Sequence, residues 1–192
     1  MAIQEFFFYG SLIILLAVFS VQIFRRALVF KIVRPLFFIL LLATFSYLFY
    51  LSYLQYQAFQ SGPLQFTLGT LDGINWFIGY VRLHFWNQYL ISLLAALLIV
   101  LIAEYINKRR GGIHFEREEF YLSALGIFLV GYPGWIFYLA VILILSALVS
   151  FLFIRRGERL PLYHFWIPTA IAVLLVIQFW AKDQAWWGSF RF

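Results

Sequence analysis

Phe120–Ile154 reads FYLSALGIFLV-GYPG-WIFYLAVILILSALVSFLFI, 35 residues without a charge. A helix crosses the ~30 Å hydrocarbon core of a bilayer in about 20 residues, so this run is too long for one crossing. Gly131-Tyr132-Pro133-Gly134 interrupts it with turn chemistry. The flanks are basic on both sides, with Lys108, Arg109, Arg110 and Arg117 before it and Arg155, Arg156 and Arg159 after it. Lys and Arg collect in the cytoplasmic loops of membrane proteins, so both ends lie on one face and the chain crosses an even number of times. The stretch is therefore a helix hairpin, with a short arm at Phe120–Val130 and a longer one at Trp135–Ile154. About 11 residues rise only ~17 Å as a helix, so the short arm is a partial span unless charged residues upstream extend it.

Composition agrees. The chain of 192 residues is 65% hydrophobic, 22% aromatic and 11% charged, with a mean hydropathy of +0.92. Soluble domains run about 45–50% apolar and about 25% charged. No segment alternates apolar and polar at a period of two, which excludes a β-barrel and leaves transmembrane helices. Cysteine is absent, so there is no disulfide framework and no thiolate metal site. The net charge of +6 is read as a set of orientation signals, not as a nucleic-acid footprint.

Outward from the hairpin, the first apolar run is Phe6–Phe24, followed directly by Arg25-Arg26. A cleaved signal has the opposite charge order, so this is a retained helix with its N-terminus outside. Residues 25–35 are expected to form a basic cytoplasmic loop, with Pro35 opening a second helix to about Phe59. Tyr47, Tyr50, Tyr53 and Tyr56 suit an interfacial belt. Residues 60–87 form a long outer connection, its second half, Ile74–Trp86, expected as a helix lying in the interface. Asp72, beside Gly73, is read as a turn or N-cap residue. The third helix, Gln88–Ile106, returns inward to a basic loop at 107–119. After the hairpin and a loop at 155–163, a last helix at about 164–180 leaves the tail Asp183–Phe192 outside. The expected fold is an all-α polytopic bundle, a single membrane domain over residues 1–192. It has about five full spans plus one short helix, the hairpin lying at 120–154.

Four of the eight acidic residues fall at one place: Glu104, Glu116, Glu118 and Glu119. An anionic side chain is favoured at a helix N-terminus, the plain reading for Glu116 and Glu119. A catalytic reading needs two carboxyl groups sharing a proton, as in aspartic proteases. Glu118 is the first candidate and Glu104, at the inner end of the third helix, the second. Metal binding by His114, Glu116 and His164 is disfavoured, because His114-x-Glu116 is not a helical ligand pair. No Ser-His-Asp motif and no phosphate loop is present, and no cofactor is expected.

From Leu90 onward the chain resembles the type IV prepilin peptidase family, membrane aspartic proteases with a GxGD motif. The resemblance is best over residues 90–180. It rests on a small-residue helix (LISLLAALLIVLIAEYI), a basic glycine-containing loop (NKRRGGIHF) and a short arm, LSALGIFLVGYPGW, similar to the family's LxALGxxLGxxG. It continues through LAVILILSALVSFLFI to Leu160-Pro161-Leu162-Tyr163-His164-Phe165-Trp166-Ile167-Pro168, similar to the Ile-Pro-Phe-Gly-Pro-Phe that precedes the family's last helix. Counting back from Leu125-Gly126, the family's Gly-Asp pair falls on Arg117-Glu118. Its other aspartate would fall near Ile23-Phe24-Arg25-Arg26, where there is no acid. The resemblance, with these departures, implies a plasma-membrane protein of pilus or secretion context that has lost or altered the aspartic dyad and acts as a non-catalytic component. Its expected partners are the lipid bilayer and prepilin-like single-helix membrane proteins or other pilus or secretion components. An active endopeptidase pairing Glu118 with Glu104, or with Asp72 against the topology that puts Asp72 outside, is the alternative, and an unrelated small transporter or channel subunit the second.

Overall fold

The computed structural model describes residues 2–62, 67–109, 117–153, 162–184 and 187, with the side chains at 2–4, 6, 67, 117–118, 150, 152–153 and 162 excepted. The described chain is helical: α1 (Ala2–Phe24), α2 (Arg26–Ser61), α3 (Leu71–Val81), α4 (Asn87–Arg109), α5 (Arg117–Val130), α6 (Gly134–Phe153) and α7 (Trp166–Phe179). Four helical stretches are long and apolar enough to cross a membrane: Phe7–Phe24, Arg26–Ser61, Leu71–Arg109 and Trp166–Asp183. Two shorter apolar helices, Glu119–Val130 and Gly134–Val149, lie between the last two. The bundle is the membrane-type fold that the composition requires.

The expected loop at 25–35 is not formed. Arg25 alone separates α1 from α2, and Pro35 lies inside α2, not at its first position. Between Arg26 and Pro35 the sequence offers no Gly, Asn, Asp or Ser with which to build a turn. The buried side chains Val29, Val33 and Phe37 recur every four residues, one stripe of a continuous helix. Pro35 removes one backbone bond, at a cost of about 3 kcal/mol, whereas an extended segment near the hydrocarbon would leave many backbone groups unpaired. Arg26, Lys31 and Arg34 therefore ride on the first turns of α2. The Arg26 guanidinium lies 5.3 Å from the Phe30 ring centroid and 4.8 Å from that of Tyr163, and Arg34 lies 5.8 Å from that of Tyr121.

The interfacial helix expected at 74–86 is also corrected. Leu71–Val81 continues through a π turn, Arg82–Trp86, into α4, so Leu71–Arg109 is one helical stretch of 39 residues. At 1.5 Å per residue this is ~58 Å, about twice the hydrocarbon thickness. Aromatic contacts bind α3 and the π turn along α2. Trp86 lies 5.7 Å from Phe45 and 4.7 Å from Phe49, and its indole N–H donates to Ser52 Oγ at 3.0 Å. Phe59 meets Trp76, Phe77 and Tyr80 at 5.3–5.7 Å. The helix thus stands along α2. Thr70, not Asp72, caps α3, its hydroxyl accepting from Gly73 N–H at 3.1 Å. Asp72 occupies the first helical turn.

The hairpin forms as expected. Charged residues extend its short arm, since α5 begins at Arg117. Gly131 ends α5 in the left-handed region (φ 72°) and donates its N–H to Ile127 C=O at 3.1 Å, a glycine helix stop. A cis Tyr132–Pro133 bond follows, and Trp135 N–H returns to Gly131 C=O at 2.9 Å. α5 is the centre of the molecule. Every residue from Leu122 to Phe128 is buried, and α1, α2, α4, α6 and α7 all pack on it. A helix apolar on all sides belongs inside a bundle, and Ala124 and Gly126 let its neighbours approach. At Gly126 a Cβ would come within 2.6 Å of the Tyr138 hydroxyl oxygen, so α5 and α6 touch closely there.

Candidate functional site

Two places gather polar side chains, one at each end of α5. The first is the basic end. Glu119, on the first turn of α5, is 6% exposed. Glu118 precedes it on the same turn, and its side chain, like the whole of Glu116 and His114, lies outside the described residues. Glu104 is exposed on α4, flanked by exposed Leu101 and Tyr105. Asp72 is exposed near the opposite end of the bundle, and His84 stacks on Tyr80 with ring centroids 4.0 Å apart. His164 is exposed beside Tyr163. Among the described residues no group of three or more His, Cys, Asp or Glu side chains is placed to hold a metal.

Gln22 on α1 escaped the reading of acidic residues, yet it is 2% exposed. It donates through Nε2 to the Tyr163 carbonyl, while its Oε1 has no partner among the described residues. Trp166 Nε1 and the Tyr138 hydroxyl are likewise buried without partners among the described residues, with the two rings 6.4 Å apart. The signal for Gln22 was available: it is the single amide within Phe6–Phe24, and polar groups inside spans are seldom accidental. For Tyr138 and Trp166 the sequence offered no signal, because aromatic residues occur throughout this chain.

The second place is a cavity of about 170 Å³ above the hairpin turn. Its floor is Phe128–Gly134, and Ser11, Thr44, Gln88, Tyr89 and Gln178 reach it from α1, α2, α4 and α7. At the basic end Arg34 lies over the Tyr121 ring. From Tyr121 to Gly131 the helix rises ~15 Å, half of the ~30 Å core. α2 runs ~25 Å beyond Thr44 to its end at Ser61. Position 133 is proline, so the Leu129 carbonyl lacks its usual i+4 donor.

A separate groove, between α6 and α7, is almost wholly apolar and encloses about 740 Å³. Phe137, Val141 and Leu145 form one wall at four-residue spacing, and Pro168, Ala172 and Val176 form the other. Compared with family models, curated proteins and solved structures, the chain matches none.

Proposed function

We propose that the protein is a non-catalytic plasma-membrane component, prepilin-peptidase-like in layout, which holds a single apolar helix of a partner without cutting it. The α6–α7 groove is the observation that carries this reading. Two walls of side chains at four-residue spacing make a channel between ridges, the surface on which a third helix packs. Its apolar lining suits a membrane-spanning helix of the prepilin type and offers nothing to a charged ligand. The reading without cleavage rests on the sequence: a proton-sharing dyad needs two carboxyl groups in one site, and Ile23-Phe24-Arg25-Arg26, where the resemblance would put the second aspartate, holds no acid. The basic end is cytoplasmic and the N-terminus outside. Among described residues it carries Arg25, Arg26, Lys31, Arg34, Lys108 and Arg109, against Arg82 and Lys182 at the other end, as the positive-inside rule requires.

The test places a photo-crosslinking residue at Leu145 or Ala172 in vesicles containing a prepilin-like helix with a basic leader. A control sits at Leu143, which is 68% exposed on α6 and outside the groove. Crosslinks at both groove positions well above the control, to an uncut partner, are expected. A shortened partner whose processing Glu118→Gln abolishes would establish the protease reading instead. Crosslinking no stronger than at Leu143 would leave the groove to lipid chains and sink the docking reading.

A cavity at a turn ~15 Å along α5 from Tyr121, near mid-depth of a ~30 Å core, favours a second reading, a small transporter or channel subunit, because broken or re-entrant backbone inside the bilayer commonly lines solute sites.

A further inference from the structure

We infer that the cavity above the hairpin turn is a hydrated site, open to the face opposite the basic one, for a small uncharged solute rich in hydrogen-bond donors. Non-helical backbone persists at membrane depth only where protein buries it or water reaches it. Here the turn is part of the cavity floor, with Gly131 and Tyr132 half-buried. The volume of about 170 Å³ far exceeds the ~10–15 Å³ that one ordered water needs.

The lining fixes the ligand class. Ser11 and Thr44 contribute hydroxyls, Gln88 and Gln178 contribute amides, Tyr89 and Tyr132 also line the wall, and among the described residues no Asp, Glu, Lys or Arg lines the cavity. An ion would meet no formal countercharge there, and burying it unpaired is costly. The four polar side chains are half-buried, and none hydrogen-bonds to another described side chain or backbone group. Leu129, to whose carbonyl Pro133 cannot act as a helical donor, also lines the floor. Hydroxyls and amides both donate and accept, which suits a polyol or a primary amide better than a bare carbonyl compound. Phe7, Phe8 and Trp187 complete the wall and exclude larger solutes.

The chain has no cysteine, so single cysteines report cleanly. Ser11→Cys and Thr44→Cys are reacted, in oriented proteoliposomes, with a membrane-impermeant thiol reagent added from the face carrying Arg82 and Lys182. Ile39→Cys, an exposed apolar position on α2, is the dry control. Both vestibule cysteines are expected to react at least tenfold faster than the control, and from that face alone. Glycerol or acetamide at molar concentration is expected to slow them threefold or more, while equimolar choline or acetate leaves them unchanged. Gln178→Cys repeats the measurement should either first variant fail to fold. Reaction no faster than at Ile39→Cys would show a dry cavity and overturn the inference. Fast reaction that neutral solutes do not slow, or that ions slow equally, would overturn the assignment of ligand class.

Discussion

Gly126→Ala tests the closest approach in the bundle. A Cβ at position 126 would lie 2.6 Å from the Tyr138 hydroxyl oxygen, 2.8 Å from Cζ and 3.2 Å from Cε1. Tyr138 is fully buried, so its ring has no open space to retreat into. Overpacking of this kind costs about 1–3 kcal/mol. Alanine returns up to ~1 kcal/mol of helix propensity over glycine, and because the clash is with a ring, the cost falls in the upper half of its range. The net loss is ~1–2 kcal/mol, a fall of about 2–8 °C in midpoint for a chain of this size. Thermal unfolding in detergent, followed through the seven tryptophans, measures it. Tyr138→Phe removes the nearest atom, a buried hydroxyl without a partner among the described residues. Alone it is expected to leave stability unchanged or raise it, since an unsatisfied buried polar group costs about 1–3 kcal/mol. Combined with Gly126→Ala it restores part of the loss, a coupling of ~0.5 kcal/mol or more. Full stability of Gly126→Ala, or clear destabilisation by Tyr138→Phe alone, would refute the packing argument.

Three smaller predictions follow from single residues. Thr70→Ala removes the α3 cap and is expected to cost about 0.5–2 kcal/mol, seen as faster hydrogen exchange at amides 71–74 with α5 unchanged. Gly131→Ala forces a side chain to φ 72° and should cost about 1–2 kcal/mol, read as a lower unfolding midpoint. Glu104→Gln alters an exposed side chain and should shift stability by less than about 0.5 kcal/mol; a larger loss in the same unfolding assay would place Glu104 in a buried contact.

The hairpin was legible because two local devices wrote it into the chain: Gly131 at a left-handed φ, and a proline that cannot continue a helix. The continuous α2 was not, because Pro35 carries the same breaker signal whether a helix begins at it or runs through it. Only the absence of turn residues from Arg26 to Arg34 spoke for the helix. Nor did Asp72-Gly73 break the chain as expected; Thr70, two residues earlier, captured the first turn. At the basic end, counting from Leu125-Gly126 put weight on Glu118, and the burial of its neighbour Glu119 was not marked in the sequence. Neighbouring helical positions point ~100° apart, and periodicity cannot tell which faces inward when a helix is apolar on every side. The vestibule was illegible for a different reason. Ser11, Thr44, Gln88 and Gln178 lie in four separate spans, and only the packing of those spans around a short central helix brings them to one depth.

The account rests on both ends of the α5–α6 hairpin returning to one face, and accessibility of single cysteines tests this directly. Lys108→Cys and His164→Cys sit at exposed positions on either side of the hairpin, and Ser61→Cys lies at the far end of α2. With an impermeant thiol reagent on oriented vesicles, positions 108 and 164 are expected to label from the same side and position 61 from the other. Labelling of 108 and 164 from opposite sides would contradict the hairpin, and with it the mid-depth turn and the vestibule above it.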